Sequence, residues 1–235
     1  MKRLKHVLKI LVFGVCLGIL LSFIRVKLQI DTGVFMAGYW IAAGVILIGL
    51  VLYGALYMRW FGRKMREAVI LLEAGETKAY IKALEKLRGQ ARGQFLKNLF
   101  QLNLSAGYCD LKQYAKAISI LEPLSAARLR GDMQMVHRLN LCVCYFYSGQ
   151  APEAMQLYEA SEAVFAPYRD RQPYGGNLAV LDMLAALERK EYEAAGAMLA
   201  EAREKWNRPR LAEDYAYIAE QLEEADRRRP SPVRT

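Results

Sequence analysis

Two long apolar runs open the chain, and the remainder alternates apolar and polar positions at helical spacing. Residues 7–24 are interrupted only by Lys9 and Ser22, and residues 34–57 carry no charge. At about 1.5 Å per residue, each run is long enough as a helix to cross a hydrocarbon core roughly 30 Å thick. A short polar loop separates the runs. The pattern therefore predicts an antiparallel transmembrane hairpin in residues 1–62, with spans over 7–24 and 34–57.

A cleaved signal peptide is the competing interpretation of residues 1–30. Such a peptide needs a small-x-small cleavage site after its apolar region. The first run ends in Ser22-Phe23-Ile24-Arg25, which offers no such site. The hairpin is therefore the favoured prediction.

Basic residues in the short flanks predict the orientation of the hairpin. Four lie before the first run or at its start: Lys2, Arg3, Lys5 and Lys9. Four more follow the second run: Arg59, Arg63, Lys64 and Arg66. The connecting loop holds only Arg25 and Lys27. The positive-inside rule then places the N-terminus and everything after residue 60 in the cytoplasm. We expect an integral membrane protein of a bacterial cell membrane, in contact with lipid through both spans.

Small residues recur at four-residue spacing within both predicted spans. Gly14 and Gly18 lie in the first, and Gly38 and Ala42 lie in the second. Small side chains allow close approach of membrane helices. Packing of the hairpin against itself is the first interpretation, and homodimerisation or docking to another membrane protein is the alternative.

The sequence pattern predicts helices throughout residues 63–226. Apolar residues recur at helical spacing, breaks come every 12–17 residues, and no stretch alternates with the period of a strand. The predicted fold class is all-α, with residues 63–226 forming a cytoplasmic helical array and residues 227–235 a basic disordered tail. The predicted helices are 63–74, 77–88, 94–109, 113–123, 132–148, 151–164, 176–189, 191–206 and 209–226.

The charge distribution narrows the function. The net charge is +9, but the excess of Lys and Arg lies in residues 1–63 and in the tail, and the body between them is nearly neutral. A phosphate-binding groove for nucleic acid is therefore not indicated. Two histidines and no recognisable nucleophile, carboxylate-pair or metal-ligand motif lead us to expect no enzyme, no metal and no cofactor. Cys109, Cys142 and Cys144 are expected to be reduced in the cytosol and buried.

A repeated pattern of large and small residues runs through the body. The anchor alanines Ala117, Ala154 and Ala195 stand 37 and 41 residues apart. A single helix pair cannot bury its own apolar face, so stacked copies are needed for stability. The residues expected to pack the repeats together are Leu104, Tyr108, Tyr114, Ala117, Leu121, Leu141, Tyr145, Gly149, Ala154, Tyr158, Tyr192, Ala195 and Leu199.

This pattern resembles the tetratricopeptide repeat (TPR), a helix pair of about 34 residues. The resemblance covers residues 64–226 and implies an α-solenoid of antiparallel helix pairs. A generic array of helical hairpins is the alternative. Lys112 and Lys190 stand where the family favours a turn glycine, and Asp182 stands where it favours leucine.

The resemblance also implies a ligand groove on the concave face, lined by the first helix of each pair. Asn103 and Asn140 occupy the same repeat position in the matching strings Leu102-Asn103-Leu104 and Leu139-Asn140-Leu141. A carboxamide can donate to and accept from a peptide unit. An interhelical hydrogen bond or coincidence is the alternative for both asparagines. The predicted peptide-binding residues are Asn103, Asn140, Leu102, Leu139, Asp110, Val143 and Tyr147.

Together these features predict a membrane-anchored scaffold that binds a partner protein or peptide on its concave face. A membrane anchor followed by TPRs resembles the plan of bacterial proteins that assemble or regulate envelope enzymes. The alternative is a small subunit of a membrane transporter or envelope complex whose hairpin makes the functional contact. An enzyme with a site assembled across repeats is the third class.

Overall fold

The computed structural model describes residues 12, 14, 18, 19, 21–124 and 129–228, and every regular element among them is a helix. The all-α prediction is confirmed for this part of the chain. Most of the first predicted span, 7–24, lies outside the described residues; its last residues are helical, and that helix continues to residue 27. The predicted disordered tail, 227–235, begins too early, because Arg227 and Arg228 belong to the last helix; residues 229–235 lie outside the described residues. Contacts divide the chain into two units, Met1–Gly62 and Arg63–Thr235.

Helix α1, Thr32–Glu73, is 42 residues long. Among the described residues it is the helix that is long and apolar enough to cross a membrane. The sequence predicts two helices here, 34–57 and 63–74, and that boundary is wrong because the helix is continuous. A lone glycine costs a helix interior only about 1 kcal/mol. Gly62 therefore does not break a helix that has good helix formers on both sides.

The small residues of the predicted spans are exposed in the structure. Among the described residues, no heavy atom outside the local helix lies within 4 Å of where a Cβ would stand at Gly14, Gly18 or Gly38. Ala42 is likewise exposed. Their role in helix–helix packing stays a prediction.

The second unit is a series of short helices that pack on their chain neighbours. Each of α2/α3, α3/α4, α4/α5, α5/α6, α8/α9 and α9/α10 forms a contacting pair, and α3/α5, α5/α8 and α8/α10 also pack together. The helices are α2 Thr77–Gln90, α3 Gln94–Asp110, α4 Tyr114–Leu121, α5 Asp132–Tyr147, α6 Ala151–Glu159, α7 Glu162–Phe165, α8 Gly175–Glu188, α9 Tyr192–Lys205 and α10 Ala212–Arg228.

Four turns in this unit share one geometry. The residues Gly75, Lys112, Gly149 and Lys190 all have positive φ, between 57° and 78°. In each turn the next residue donates its backbone N–H to the carbonyl five residues earlier, as Gln113 does to Tyr108 and Gln150 does to Tyr145. This is the hydrogen-bond pattern that ends many helices with a left-handed residue. Lys112 and Lys190 thus adopt the backbone conformation of the glycines they replace.

The predicted repeat-packing residues fall mostly in the interior. The anchor alanines Ala117, Ala154 and Ala195 are fully buried, where a side chain of one carbon lets neighbouring helices approach. The other buried members are Leu104, Tyr108, Leu121, Leu141, Tyr158 and Leu199. Tyr114, Tyr145 and Tyr192 are half-buried, and Gly149 is exposed in its turn.

The predicted helix 151–164 is interrupted. Helix α6 ends at Glu159, and α7 begins at Glu162. The guanidinium of Arg138 donates to the Ala160 carbonyl at 3.0 Å and to the Ser161 hydroxyl at 2.8 Å. A carbonyl bound by a side chain is a satisfied helix end, so the break costs little.

Cys109 on α3 and Cys144 on α5 lie side by side with their sulfur atoms in contact, so the packing brings together two cysteines that the sequence analysis treats as separate reduced thiols. Their Cα atoms are 6.6 Å apart, within the range that disulfides span. The expectation that cytosolic thiols stay reduced says nothing about which cysteines the packing of α3 on α5 brings together. Cys142 is free and buried.

Candidate functional site

The Asn103 side chain on α3 is hydrogen-bonded to residues of α2 and α3. Its amide nitrogen donates to the Leu99 carbonyl at 2.8 Å. The Tyr80 hydroxyl donates to the Asn103 backbone carbonyl at 3.1 Å and lies 3.3 Å from its side-chain oxygen. Both ends of this carboxamide are therefore engaged, which favours the structural alternative for Asn103.

Asn140 on α5 is held more loosely. Its amide nitrogen lies 3.3 Å from the Ser105 hydroxyl and 3.5 Å from the Leu102 carbonyl, both on α3. Its side-chain oxygen accepts no hydrogen bond from the described residues. Asn140 thus ties α5 to α3 through weak contacts and keeps an acceptor for another molecule.

The two leucines of the predicted groove point inward. Leu102 and Leu139 are 2% and 4% exposed. Each precedes its asparagine by one residue, and one residue turns a helix by about 100°. The prediction that Leu102 and Leu139 contact a bound peptide is corrected accordingly. Val143 remains half-buried.

The other two predicted groove residues, Asp110 and Tyr147, contact the segment 209–214, where the C-terminal helix begins. Arg210, in the short helix that leads into α10, lies 3.3 Å from the Asp110 carboxylate. The Thr77 hydroxyl donates to the other Asp110 oxygen. The Tyr147 hydroxyl donates to Asp214 at 2.5 Å. The start of α10 therefore covers the end of the predicted groove where α3 and α5 finish.

Three tyrosine rings complete this contact. Tyr114 stacks on Tyr147 with ring centroids 5.5 Å apart, and Tyr217 meets the Tyr147 edge at 5.3 Å. Burial raises the pKa of the Asp214 carboxyl, and burial with the nearby carboxylate also raises the pKa of Tyr147. The raised pKa of Tyr147 keeps its phenol neutral, which is the form that donates to Asp214.

His137 is a packing residue. It is 4% exposed, and its Nε2 lies 3.0 Å from the Leu121 carbonyl. Its Nδ1 is buried without a partner among the described residues. Burial lowers the pKa of the ring, so the neutral form donates from Nε2 to Leu121.

An ionic cluster that sequence reasoning missed lies between α6, α7 and α8. The Arg169 guanidinium donates to both Asp182 oxygens at 2.9 and 3.0 Å and to both Glu162 oxygens at 2.8 and 2.9 Å. The Tyr158 hydroxyl donates to Asp182 at 2.8 Å. One feature of the sequence could have indicated this cluster, since Asp182 places a carboxylate where the repeat pattern favours an apolar residue.

Metal binding has no support in the described part of the chain, where no group of three or more His, Cys, Asp or Glu side chains could hold an ion. What is left of the predicted groove is a half-buried strip of residues on α3 and α5, which the start of α10 contacts at one end. Its half-buried members are Leu99, Asn103, Ala106, Val136, Asn140 and Val143. Comparison with known proteins finds no matching family model, no matching curated protein and no matching solved structure.

Proposed function

We propose that this protein is a membrane-anchored scaffold. Two N-terminal spans hold a cytoplasmic, TPR-like α-solenoid at the inner face of the membrane, and the concave strip on α3 and α5 binds a segment of a partner protein. The role is binding, and the anchor raises the partner's local concentration at the membrane.

The observation that best supports this proposal is the shared geometry of four turns in the second unit. Gly75, Lys112, Gly149 and Lys190 share one backbone conformation and recur at intervals close to those of the anchor alanines. Equivalent turns at a regular interval favour a stacked array of helix pairs. Stacking of that kind leaves the first helix of every pair on one surface, and extended binding surfaces of this type serve protein partners.

Asn140 is the proposed centre of the binding strip. Its free acceptor and its loosely held amide would pair with the backbone of a bound segment. Leu99 and Val143, which are half-buried, would supply apolar contact on either side. Asn103 supports the strip through its bonds to Tyr80 and Leu99.

Quantitative cross-linking from membranes tests the proposal. The groove variant is Asn140→Ala/Leu99→Ala, and the matched control is Asn177→Ala/Met198→Ala, which changes an exposed asparagine and an exposed apolar residue on α8 and α9. We expect a specific partner to be lost from the groove variant and kept by the control. Equal loss from both variants would exclude the strip as the binding surface.

A version with residues 1–62 replaced by an unrelated two-span anchor tests the alternative. The apolar side chains of α1, such as Trp40 and Leu47, are more than 60% exposed, so a membrane partner has surface to contact. Partners that disappear with the native hairpin and ignore Asn140 would identify a subunit of a membrane complex instead.

A further inference from the structure

A shallow cleft of about 310 Å³, largely open to solvent, lies between α2, α3 and α4, away from the strip on α3 and α5. We name it the lysine cleft. Lys78, Lys82 and Lys116 line it together with Tyr108 and Gln113. The apolar walls are Ile81 and Leu111, and Glu85 is its acidic member.

The first two lysines of the cleft lie on α2. Lys78 and Lys82 are exposed and stand four residues apart on one face of α2. Neither forms an ion pair or a side-chain hydrogen bond with the described residues. Some other lysines of this unit pair with a carboxylate, as Lys112 does with Glu213 and Lys205 with Asp170. Others do not, since Lys97 and Lys190 form no ion pair with the described residues.

The third lysine is positioned by the floor of the cleft. The Lys116 Nζ lies over the Tyr108 ring, 4.1 Å from its centroid. The Tyr108 hydroxyl donates to the Glu85 carboxylate at 3.1 Å. Three lysines and one glutamate therefore line the cleft, which gives its lining a net positive charge.

We propose that the lysine cleft binds a phosphate group carried by a small organic molecule or by a lipid headgroup. Ammonium groups attract phosphate as point charges, and Gln113, which also lines the cleft, has a side-chain amide that can donate a hydrogen bond. A cleft of this volume is at the small end of ligand sites, so it suits a compact anion with a short organic body. Phosphate binding here is independent of the proposed scaffold role.

Direct binding to the full chain in a neutral detergent tests this inference. The two probes are sn-glycerol 3-phosphate and dioctanoyl phosphatidylglycerol, with dioctanoyl phosphatidylcholine as the neutral-lipid comparison. Calorimetry or native mass spectrometry gives the affinity. Binding of glycerol phosphate identifies a soluble phosphate ester as sufficient, whereas binding of phosphatidylglycerol alone identifies a lipid headgroup.

The cleft variant is Lys78→Gln/Lys82→Gln/Lys116→Gln. The matched control, Lys97→Gln/Lys190→Gln/Arg203→Gln, removes three exposed positive charges elsewhere in the unit. We expect the cleft variant to bind the preferred probe about tenfold or more weakly and the control to bind as wild type does. Melting temperatures of all three proteins establish that each is folded.

Three results would overturn the inference. The first is the absence of binding to both probes by the wild-type chain. The second is an equal loss in the control variant, which would assign the attraction to net charge. The third is that a phosphate-free acidic peptide binds as tightly as the probes and with the same dependence on the three lysines.

Discussion

Asp182 shows how one residue can depart from a repeat pattern for a physical reason. The pattern favours leucine at this position, yet the carboxylate is only 18% exposed and receives two hydrogen bonds from Arg169 and one from Tyr158. A buried carboxylate is stable when its lone pairs are satisfied by a planar guanidinium. The Arg169 cluster thereby fixes the irregular segment between α6 and α8.

We expect Arg169→Lys to lower the stability of the second unit. A lysine presents one compact ammonium and cannot bridge Asp182 and Glu162 in the same geometry, so the loss should be about 1.5–3 kcal/mol. Thermal unfolding followed by the fluorescence of the buried Trp206 measures the change. Arg189→Lys is the control, because its contact with Glu159 is exposed and should matter by less than about 1 kcal/mol. Equal shifts for both variants would contradict the cluster's role.

His137 makes stability depend on pH. Burial lowers its pKa in the folded state, so below the unfolded value of about 6.5 the unfolded chain binds a proton that the folded chain resists. The contribution of neutral His137 to the free energy of unfolding is therefore fully present above that pH. It falls as the pH drops through it, by at most about 1.4 kcal/mol per pH unit. His137→Gln retains a donor for Leu121 and removes the titration. Melting temperatures at two pH values, above and below 6.5, should diverge for wild type and less for the variant; identical acid sensitivity would contradict this assignment.

At the scale of the helical elements, the turns are the most regular feature. Two of the four equivalent turns use lysine where glycine would carry no steric penalty. A left-handed conformation brings the Cβ of an L-residue close to the following carbonyl oxygen, at a cost of about 1–2 kcal/mol. The lysines are tolerated because the turn's hydrogen bonds and the packing of the flanking helices exceed this cost.

Lys190→Gly should therefore stabilise the unit by about 0.5–1 kcal/mol, after allowance for the greater freedom of glycine in the unfolded chain. Lys190→Ala keeps the positive φ with a Cβ and should give no gain. The converse change, Gly149→Ala, should destabilise by about 1 kcal/mol. No heavy atom lies within 4 Å of a Cβ at Gly149 among the described residues, so this change tests the backbone alone. Chemical or thermal unfolding ranks the three variants, and a stabilising Gly149→Ala would contradict the equivalence of the turns.

At the scale of the whole molecule, the membrane topology is the property on which the proposed function depends. Basic flanks predict both termini in the cytoplasm, with the loop around Gln29 on the opposite side. A fluorescent protein that matures only in the cytoplasm should fluoresce when fused to the C-terminus. Alkaline phosphatase, which is active only outside the cytoplasm, should be active when inserted in the loop and inactive at the C-terminus. An active C-terminal phosphatase would reverse the orientation and remove the scaffold from the cytoplasm.

The sequence by itself determined the helical class and most helix positions. Local periodicity and helix-ending residues are properties of neighbouring positions, so they can be read without knowing what packs where. The apolar character of α1 could be read in the same way. The boundaries at residues 57–63 and at Ala160 were not predictable, because the first depends on how little Gly62 disturbs a long helix and the second on Arg138 from another helix.

Only the tertiary structure decided which side chains meet. Arg210 reaches Asp110 and Asp214 reaches Tyr147 across 100 and 67 residues of chain, and no local pattern encodes such pairs. The same holds for the contact between Cys109 and Cys144 and for the lysine cleft, which three helices form together. The inward turn of Leu102 and Leu139 likewise depends on which face each helix buries. Periodicity specifies that a helix has a buried face, whereas the packing of helices distant in sequence decides which residues that face contacts.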